Sequence, residues 1–454
     1  MNDFKYHDII RDFTSDGGIN IIDYFRGIQS REASKYQGME ISPTIAKVLV
    51  YVNKLSYVYL LPTSARYSYT EAFGDISSSK EFELSHLICA SSLLNRKVLV
   101  ELIVLSLGYD HNAAMAFIAS HEAQLFQLVP YAICTEVLLT LGGDDRLQLD
   151  MNENHATKYF SSTVPDDNLI RRGSCTCSTL SSKDYQLADQ QRLWLLHQSS
   201  INNEANVFDQ FMSSIRCELQ ELLSWAYSQE FARDVPPHEI IFFPSGSDAE
   251  YLPLMVALIQ SVTSFPGAGD RSIRSFVTAA GEVGSGTANA AQGKHFSCRS
   301  PLWGTYQDPK ALHQPWDEKG RCSVEIVQFK ARDDISGEVS YNEEDIAQSA
   351  RLYLSASATS IAIIHLVYGS KTGLVYPTIE SVLTSHQSPN PGETPIQLLV
   401  SDYGSRVIVT IDMCQLRCHV SHVLAFVAIG FIPLITGSKY FTGPPFRSVD
   451  VIWA

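Results

Sequence analysis

This 454-residue chain is short of three things: cysteines placed to pair, positive charge and long apolar runs. Its nine cysteines are scattered, without a C-x-x-C pair or a His/Cys set at zinc-finger spacing, so we expect reduced thiols and no metal site. Lys and Arg number 34 against 49 Asp and Glu, a net charge of −15, which argues against binding to nucleic acid or to anionic membranes. The most apolar stretch, 423–435, is too short to cross a bilayer.

The chain does contain enough apolar residues for a large folded core. Hydrophobic residues make up 45% and charged residues 18%, a balance typical of globular proteins of two domains at this length. The N-terminus begins Met1-Asn2-Asp3-Phe4 and has no apolar h-region, so a secretory signal is not expected. Composition therefore predicts a cytoplasmic protein.

The hydrophobic pattern changes near residue 145. Residues 1–145 have the pattern of helices, with apolar stretches at 45–53 and 98–107 and an Ala/Leu-rich stretch at 113–141. Gly142-Gly143 marks the end of the last of these helices. We therefore predict a helical N-terminal domain over 1–145 and a second domain over 146–454.

The second domain alternates between apolar runs, glycine-containing turns and helices. Amphipathic helices are predicted at 184–197 and 206–231, and residues 295–330 are rich in loop-forming residues. The apolar runs typical of buried strands are 239–243, 275–278, 360–367, 398–402, 407–411 and 431–435. Repeated strand–turn–helix units predict an α/β fold with a mainly parallel sheet and right-handed crossovers.

Polar residues stand at the ends of the last two runs. Asp412 closes 407–411, and Thr436-Gly437-Ser438-Lys439 follows 431–435. Open α/β sheets bind ligands at the carboxyl ends of their strands. An Asp and a Lys in this arrangement suit pyridoxal phosphate, because the lysine amine forms a Schiff base with the aldehyde and the carboxylate keeps the pyridine nitrogen protonated. A structural ion pair between Asp412 and Lys439 is the alternative.

Two turns earlier in the domain are candidates for anion binding. Ser245-Gly246-Ser247-Asp248 lies between a predicted strand and helix, where free N–H groups and the helix dipole attract a phosphate. The alternative is an ordinary helix cap at Ser247 or Asp248. The stretch 281–287 is also glycine-rich, but its spacing matches neither a dinucleotide fingerprint nor a P-loop, so it is either a turn under a ligand or a plain loop.

Taken in order, these motifs resemble those of fold-type I pyridoxal-phosphate enzymes, and among them the class-V aminotransferase and cysteine desulfurase group. Asp412-Met413-Cys414-Gln415 is similar to the group's D-x-x-Q, which implies Asp412 on the pyridine nitrogen and Gln415 on the phenolic oxygen. Thr436-Gly437-Ser438-Lys439 is similar to its S-G-H-K, which implies Lys439 as the Schiff-base lysine and proton carrier, with Thr436 at the phosphate.

The resemblance extends to three further segments. The turn at 245–250 is similar to the group's S-G-T-T-E-A phosphate turn, which implies Gly246, Ser247 and Asp248 as cofactor-binding residues. Ser370 falls where the group has a substrate-facing residue, and 174–178 resembles the segment that lines the mouth of the active site. The fold so implied is the large domain of these enzymes, with a mainly parallel sheet of the seven-stranded type, in a homodimer.

The expected function is a pyridoxal-phosphate-dependent enzyme, of aminotransferase or lyase type, that acts on an amino acid or another amine through an internal aldimine at Lys439. The chain departs from the family at three points, and the first and the last favour an alternative, which is a non-catalytic binding protein on this fold or an inactive truncated product. No aromatic or histidine lies at 283–285 to stack on the ring, Ser438 replaces a histidine, and only fifteen residues follow Lys439, where the family continues into a small C-terminal domain. A nucleotide-phosphate binder with a structural Lys439 is a third possibility.

Overall fold

The computed structural model describes residues 21–37, 39–61, 66, 69–70, 74–89, 94–140, 157, 161, 165, 180–201, 207–267, 271–296, 299–300, 304–305, 322–340, 342–376, 394–437, 439 and 448–453. The chain divides into two compact units. The first comprises Met1–Gly173, Ser178–Ser214 and Pro301–Gly304; the second comprises Ser174–Cys177, Ile215–Ser300 and Thr305–Ala454.

The described elements of the first unit are mainly helices. They are α1 (Ile21–Lys35), α2 (Pro43–Tyr59), α3 (Asp75–Cys89), α4 (Arg96–Leu107), α5 (His111–Ala132), α6 (Thr135–Leu138), α7 (Ser182–Ile201) and the start of α8 (Val207–Phe231). Side-chain caps fix where several of them begin: Ser42, Asn95 and Asp110 each accept a bond from a backbone N–H of the first turn. Gly108 ends α4 in the left-handed conformation.

The first unit extends beyond the boundary placed at 145, because α7 packs with the earlier helices. Arg192 of α7 is buried, and its guanidinium donates to the carbonyl of Tyr131 at 2.8 Å and to the hydroxyl of Thr135 at 3.0 Å. Asp189 accepts from the same guanidinium at 2.7 Å. The bonds from Arg192 to Tyr131 and Thr135 join residues more than fifty positions apart, which the local pattern around 145 does not reveal.

The second unit is built on one twisted sheet. Its strands are β1 (His238–Phe243), β2 (Arg271–Ala280), β5 (Cys322–Lys330), β6 (Ser360–Tyr368), β8 (Val407–Asp412), β9 (Ile432–Thr436) and β10 (Ser448–Trp453), in the order β1-β10-β9-β8-β6-β2-β5. β10 is antiparallel to both neighbours and the other six run in one direction. Two-residue strands also occur, β3 (Arg299–Ser300), β4 (Gly304–Thr305) and β7 (Val375–Tyr376). β7 pairs with β6, so the sheet has eight strands in all. The predicted α/β class with a mainly parallel sheet is confirmed.

Helices cover both faces of this sheet. The central strand β6 is therefore buried along its whole length. Ala362, Ile364 and Leu366 face one core, and Ile361 and Ile363 face another. Burial on both faces is what makes a central parallel strand a continuous apolar run. The helices of this unit are the rest of α8, α9 (Gly246–Ala249), α10 (Tyr251–Ser264), α11 (Thr287–Ala290), α12 (Glu343–Ala356), α13 (Pro395–Tyr403) and α14 (Ser421–Ala428), with a 3-10 turn at Gly404–Arg406.

Two predicted elements are wrong. The run 398–402 was expected in the strand series but belongs to α13, because Thr394 forms a capping box with Gln397 and Pro395 stands at the first helical position. Residues 322–330 were expected in a loop but form β5, the edge strand, whose side chains alternate between partly buried and exposed. An edge strand with only one neighbour needs no continuous apolar run.

No single described helix is long and apolar enough to cross a membrane. α4 and α5 pass that test of length and composition only when taken together, and they are bent by 113° at the break between them.

Candidate active site

The candidate site lies at the carboxyl edge of the sheet. β1, β2, β6, β8 and β9 all end at this edge, because β1 and β9 are both antiparallel to β10 and the rest are parallel to β9. The turns that follow these strands carry the residues singled out in the sequence: Ser245–Asp248 after β1, Gly281–Gly286 after β2, Ser370 after β6, Asp412–Gln415 after β8 and Lys439 after β9.

Asp412 stands at the end of β8 in a turn held by its own carboxylate. The backbone N–H of Cys414 donates to Asp412 Oδ1 at 2.8 Å, and the backbone N–H of Met413 donates to the carbonyl of Leu434 in β9 at 2.8 Å. These two bonds fix the turn against the neighbouring strand. Asp412 itself remains partly accessible, as a ligand-binding carboxylate must be.

The thiol of Cys414 connects Asp412 with Lys439. Burial raises the pKa of the Cys414 thiol, the Asp412 charge raises it further, and the Lys439 charge opposes both. The carboxylate and the ammonium therefore act on the same buried group. Among the ion pairs that the described residues form, none joins Asp412 directly to Lys439.

The turn after β1 is a helix cap, as the alternative interpretation held, but the capping residue is Ser245. Its hydroxyl accepts from the N–H of Asp248 at 3.2 Å and donates to the Asp248 carboxylate at 2.6 Å. Gly246 lies against the Asp412 turn, since a Cβ built on Gly246 would stand 3.1 Å from Cys414 Sγ. Ser247 is buried. The predicted phosphate turn and the predicted ring-binding turn are therefore in contact.

The glycine-rich turn after β2 packs on the same region. A Cβ on Gly286 would stand 2.7 Å from Ser247 Oγ and 3.0 Å from two carbons of Phe296. The sequence has no ring at 283–285, but the fold brings Phe296, which stacks on Tyr251 at 6.0 Å between centroids, to this turn. The absence of a side chain at Gly286 is what allows the two turns to approach.

Ser370, the predicted substrate contact, takes part in a network of three turns. Its hydroxyl donates to Glu282 Oε2 at 2.5 Å and accepts from the N–H of Leu374 at 3.0 Å. Thr372 donates to the same oxygen, and Arg332 donates to Glu282 Oε1 at 2.8 Å. Burial raises the pKa of Glu282, but the hydrogen bonds from its three partners outweigh it and lower that pKa below the ordinary value.

The remaining predicted residues divide between described and undescribed parts of the chain. Gln415 is buried, with its Cβ 3.6 Å from where a Cβ on Gly369 would stand, and Thr436 is buried at the end of β9. The predicted mouth segment at 174–178 lies outside the described residues.

The site also contains a buried pair that the motifs did not reveal. His365 Nδ1 lies 2.9 Å from Glu250 Oε2, and each side chain is only 3% exposed. The one available signal was a histidine inside the apolar run at 360–367, since imidazole is rarely placed in a fully buried strand without a partner. Its partner, 115 positions earlier, carries no local signal.

These residues fit pyridoxal phosphate. The donor set offers a carboxylate at the end of β8 for a ring nitrogen, an amine at Lys439 for an aldehyde, and the start of α9 for a phosphate. The glycines at 246 and 286 allow the turns that carry these groups to pack against each other.

Comparison with known proteins gives distant structural neighbours only. No family model and no curated protein matches the chain. Solved structures that resemble it include a sphingosine-1-phosphate lyase from Burkholderia pseudomallei (TM-score 0.29, 12% identity), 4-hydroxyphenylacetaldehyde synthase from Rhodiola rosea (0.32, 10%), and the glutamate decarboxylase domain of a diaminobutyrate-pyruvate transaminase and L-2,4-diaminobutyrate decarboxylase from Vibrio parahaemolyticus (0.29, 12%). They cover 55%, 52% and 53% of this chain, which in turn spans less than half of each, 46%, 43% and 43%.

Proposed function

We propose that the protein is a pyridoxal-phosphate-dependent enzyme of aminotransferase or lyase type that acts on an amino acid or another amine. The observation that carries this proposal is the meeting of three turns at the carboxyl edge of the sheet. The Cys414 thiol lies against Gly246 of the first turn, and the Cys414 N–H donates to Asp412 in the second. The charge of Lys439, in the third turn, opposes the rise in the pKa of the same thiol. A homodimer in the cytoplasm is the assembly we propose.

Each residue has a role that follows from its chemistry. Lys439 Nζ is the amine that carries the cofactor and moves a proton at the reacting carbon. Asp412, held by the Cys414 N–H, keeps a positive charge on the ring nitrogen. When bound, pyridoxal phosphate supplies an electron sink for a carbanion.

The other residues orient the ligand. The start of α9 and the hydroxyl of Ser247 are the proposed contacts for the phosphate, and Thr436 is a second contact for it. The role proposed for Gln415 is a bond to the phenolic oxygen. Ser370, with its hydroxyl bonded to Glu282, lies in a turn set to define the substrate side of the pocket.

The test is the visible absorption of the purified protein with pyridoxal phosphate, before and after borohydride. We expect a yellow band that borohydride fixes covalently, with peptide mapping placing the adduct on Lys439. Lys439→Ala should lose the band and the adduct completely, because no other amine occupies that position. Lys371→Ala is the matched control, since Lys371 is an exposed lysine in the neighbouring turn after β6.

Three outcomes separate the candidate functions. A band that amino acids change supports the enzyme. A band that no amine changes supports the non-catalytic binding protein. Equal spectra for the wild type and Lys439→Ala, without an adduct, would show that Lys439 is structural.

A further inference from the structure

The Glu250–His365 pair lies on the same face of the sheet as Asp412, one step further from the ligand edge. In the parallel pairing of β6 with β8, His365 is opposite Thr410 and Val367 is opposite Asp412. Alternate residues of a strand share a face, so the imidazole and the Asp412 carboxylate point to the same side, about 7 Å apart along the strands. The pair therefore lies behind Asp412.

Three elements enclose the Glu250 carboxyl group. Glu250 itself stands between α9 and α10, His365 comes from β6, and the hydroxyl of Thr287, the first residue of α11, also bonds to the carboxyl. On the same face Ser275 of β2 and Thr410 of β8 are uncharged, and their hydroxyls donate to backbone carbonyls. Among the described residues the charged group that acts on Glu250, other than His365, is Asp412.

Glu250 is buried, and the charge of Asp412 opposes its ionisation. Burial raises the pKa of Glu250, and the Asp412 charge raises it further, whereas the bond and the charge of His365 lower it. If glutamate and imidazole share one proton, the net charge of the pair is zero whether the proton lies on the carboxyl group or on the imidazole. The pair then places no second anion behind Asp412.

We propose that Glu250 and His365 are positioning residues that share one proton, so that the carboxyl group behind Asp412 adds no net charge to the site. His365 Nδ1 makes the bond, and His365 Nε2 has no partner in the described part of the chain. Asparagine places its amide where Nδ1 lies, so His365→Asn removes the titration and retains a donor to Glu250.

The first test uses the protein without cofactor and does not depend on the proposed function. In His365→Asn, Glu250 is protonated when folded and ionised when unfolded above its ordinary pKa of 4.5. The stability that the protonated Glu250 contributes is therefore lost as the pH rises from 4.5 through the raised pKa of Glu250 in the folded protein. In the wild type the number of bound protons does not change on unfolding up to about pH 6.5. The folded pair holds one shared proton, and the histidine of the unfolded chain also holds one. Relative to the wild type, the unfolding constant of His365→Asn should therefore rise by up to about tenfold per pH unit between about 4.5 and 6.5.

The decisive control is the double variant Glu250→Gln with His365→Asn. It pairs two neutral amides, so its unfolding constant should run parallel to that of the wild type across this pH range. If the pair were merely structural, the second substitution would not reverse the effect of the first. The double variant would then be destabilised at least as much as the single one. A single variant that parallels the wild type, or a double variant as pH-dependent as the single one, overturns the proposal.

The second test depends on the proposed function and uses the protein with pyridoxal phosphate. Above the pH at which Glu250 of His365→Asn ionises in the first test, its carboxylate adds a negative charge behind Asp412. In that range the pH midpoint of the bound cofactor's visible absorption should rise by about one unit in His365→Asn, and the double variant should restore it. If the wild type fails to bind the cofactor, the proposed function fails while the unfolding comparison still judges the pair. If the cofactor binds but the midpoint does not move, the positioning role is overturned.

Discussion

At the scale of single residues, Gly286 governs how closely two turns of the site approach. Its backbone conformation, φ −89°, is open to any residue, so only the missing side chain distinguishes glycine here. The space is taken by Ser247 Oγ and Phe296. The same reasoning applies to Gly246 beside Cys414. Small residues at these two positions serve packing between turns that carry the proposed phosphate contacts.

We expect Gly286→Ala to lower the free energy of unfolding by about 1–3 kcal/mol, because the new Cβ overpacks the turn. It should also weaken the binding of pyridoxal phosphate by displacing Ser247. Denaturant unfolding and a binding titration check both effects. Gly27→Ala, in the exposed part of α1 with nothing within 4 Å, is the control and should be neutral or stabilising by about 0.5–1 kcal/mol. Equal stability of the two variants would contradict this account.

At the scale of elements, Glu282 holds together the turns that follow β2, β5 and β6. It accepts from Arg332, Ser370 and Thr372, and its backbone carbonyl accepts from the N–H of Lys371 at 3.0 Å. Three strands that are neighbours in the sheet are thus joined again just beyond their ends. This fixes the side of the site on which Ser370 lies.

Glu282→Gln tests this junction through pH. The lowered pKa of Glu282 means that its bonds stabilise the fold above pH 4.5 and are lost as the pH falls through the folded pKa. We expect the variant to be less stable by about 1 kcal/mol near neutral pH, since Arg332 is 39% exposed and its ion pair is weakened by solvent. The difference from the wild type should disappear in acid. Glu338→Gln, at an exposed position of the nearby loop, should show no such convergence.

At the scale of the whole molecule, the net charge of −15 opposes an anionic cofactor. The proposed phosphate contacts are a helix start and hydroxyl groups, which act only at short range. Approach from solution is therefore governed by repulsion between the protein and the ligand, which salt screens.

The association rate of pyridoxal phosphate should accordingly rise with salt. Between about 10 mM and 150 mM ionic strength the screening length falls from about 30 Å to about 8 Å, so repulsion is largely removed. Stopped-flow absorption measures this rate. Pyridoxal, which lacks the phosphate, is the control and should show a much weaker dependence. A rate that falls with salt would instead indicate a positive field at the site.

The sequence by itself determined the strands that are buried on both faces and the residues at their ends. Runs such as 360–367 and 407–411 are apolar because helices cover both sides of the sheet, so β6 and β8 could be located from composition alone. Parallel strands end at one edge, and this is why Asp412 and Lys439 could be expected together. The edge strand β5 and helix α13 were missed, because one-sided burial and a helix cap compete with the apolar pattern.

Only the tertiary structure decided which distant residues meet. The place of β10 between β1 and β9, the contact of Gly286 with Ser247, and the bond between Glu250 and His365 depend on how the elements pack. A local pattern records whether a side chain is buried, since burial selects for apolar residues. It does not record which partner satisfies a buried polar group, because that partner is chosen in space across more than a hundred residues of chain.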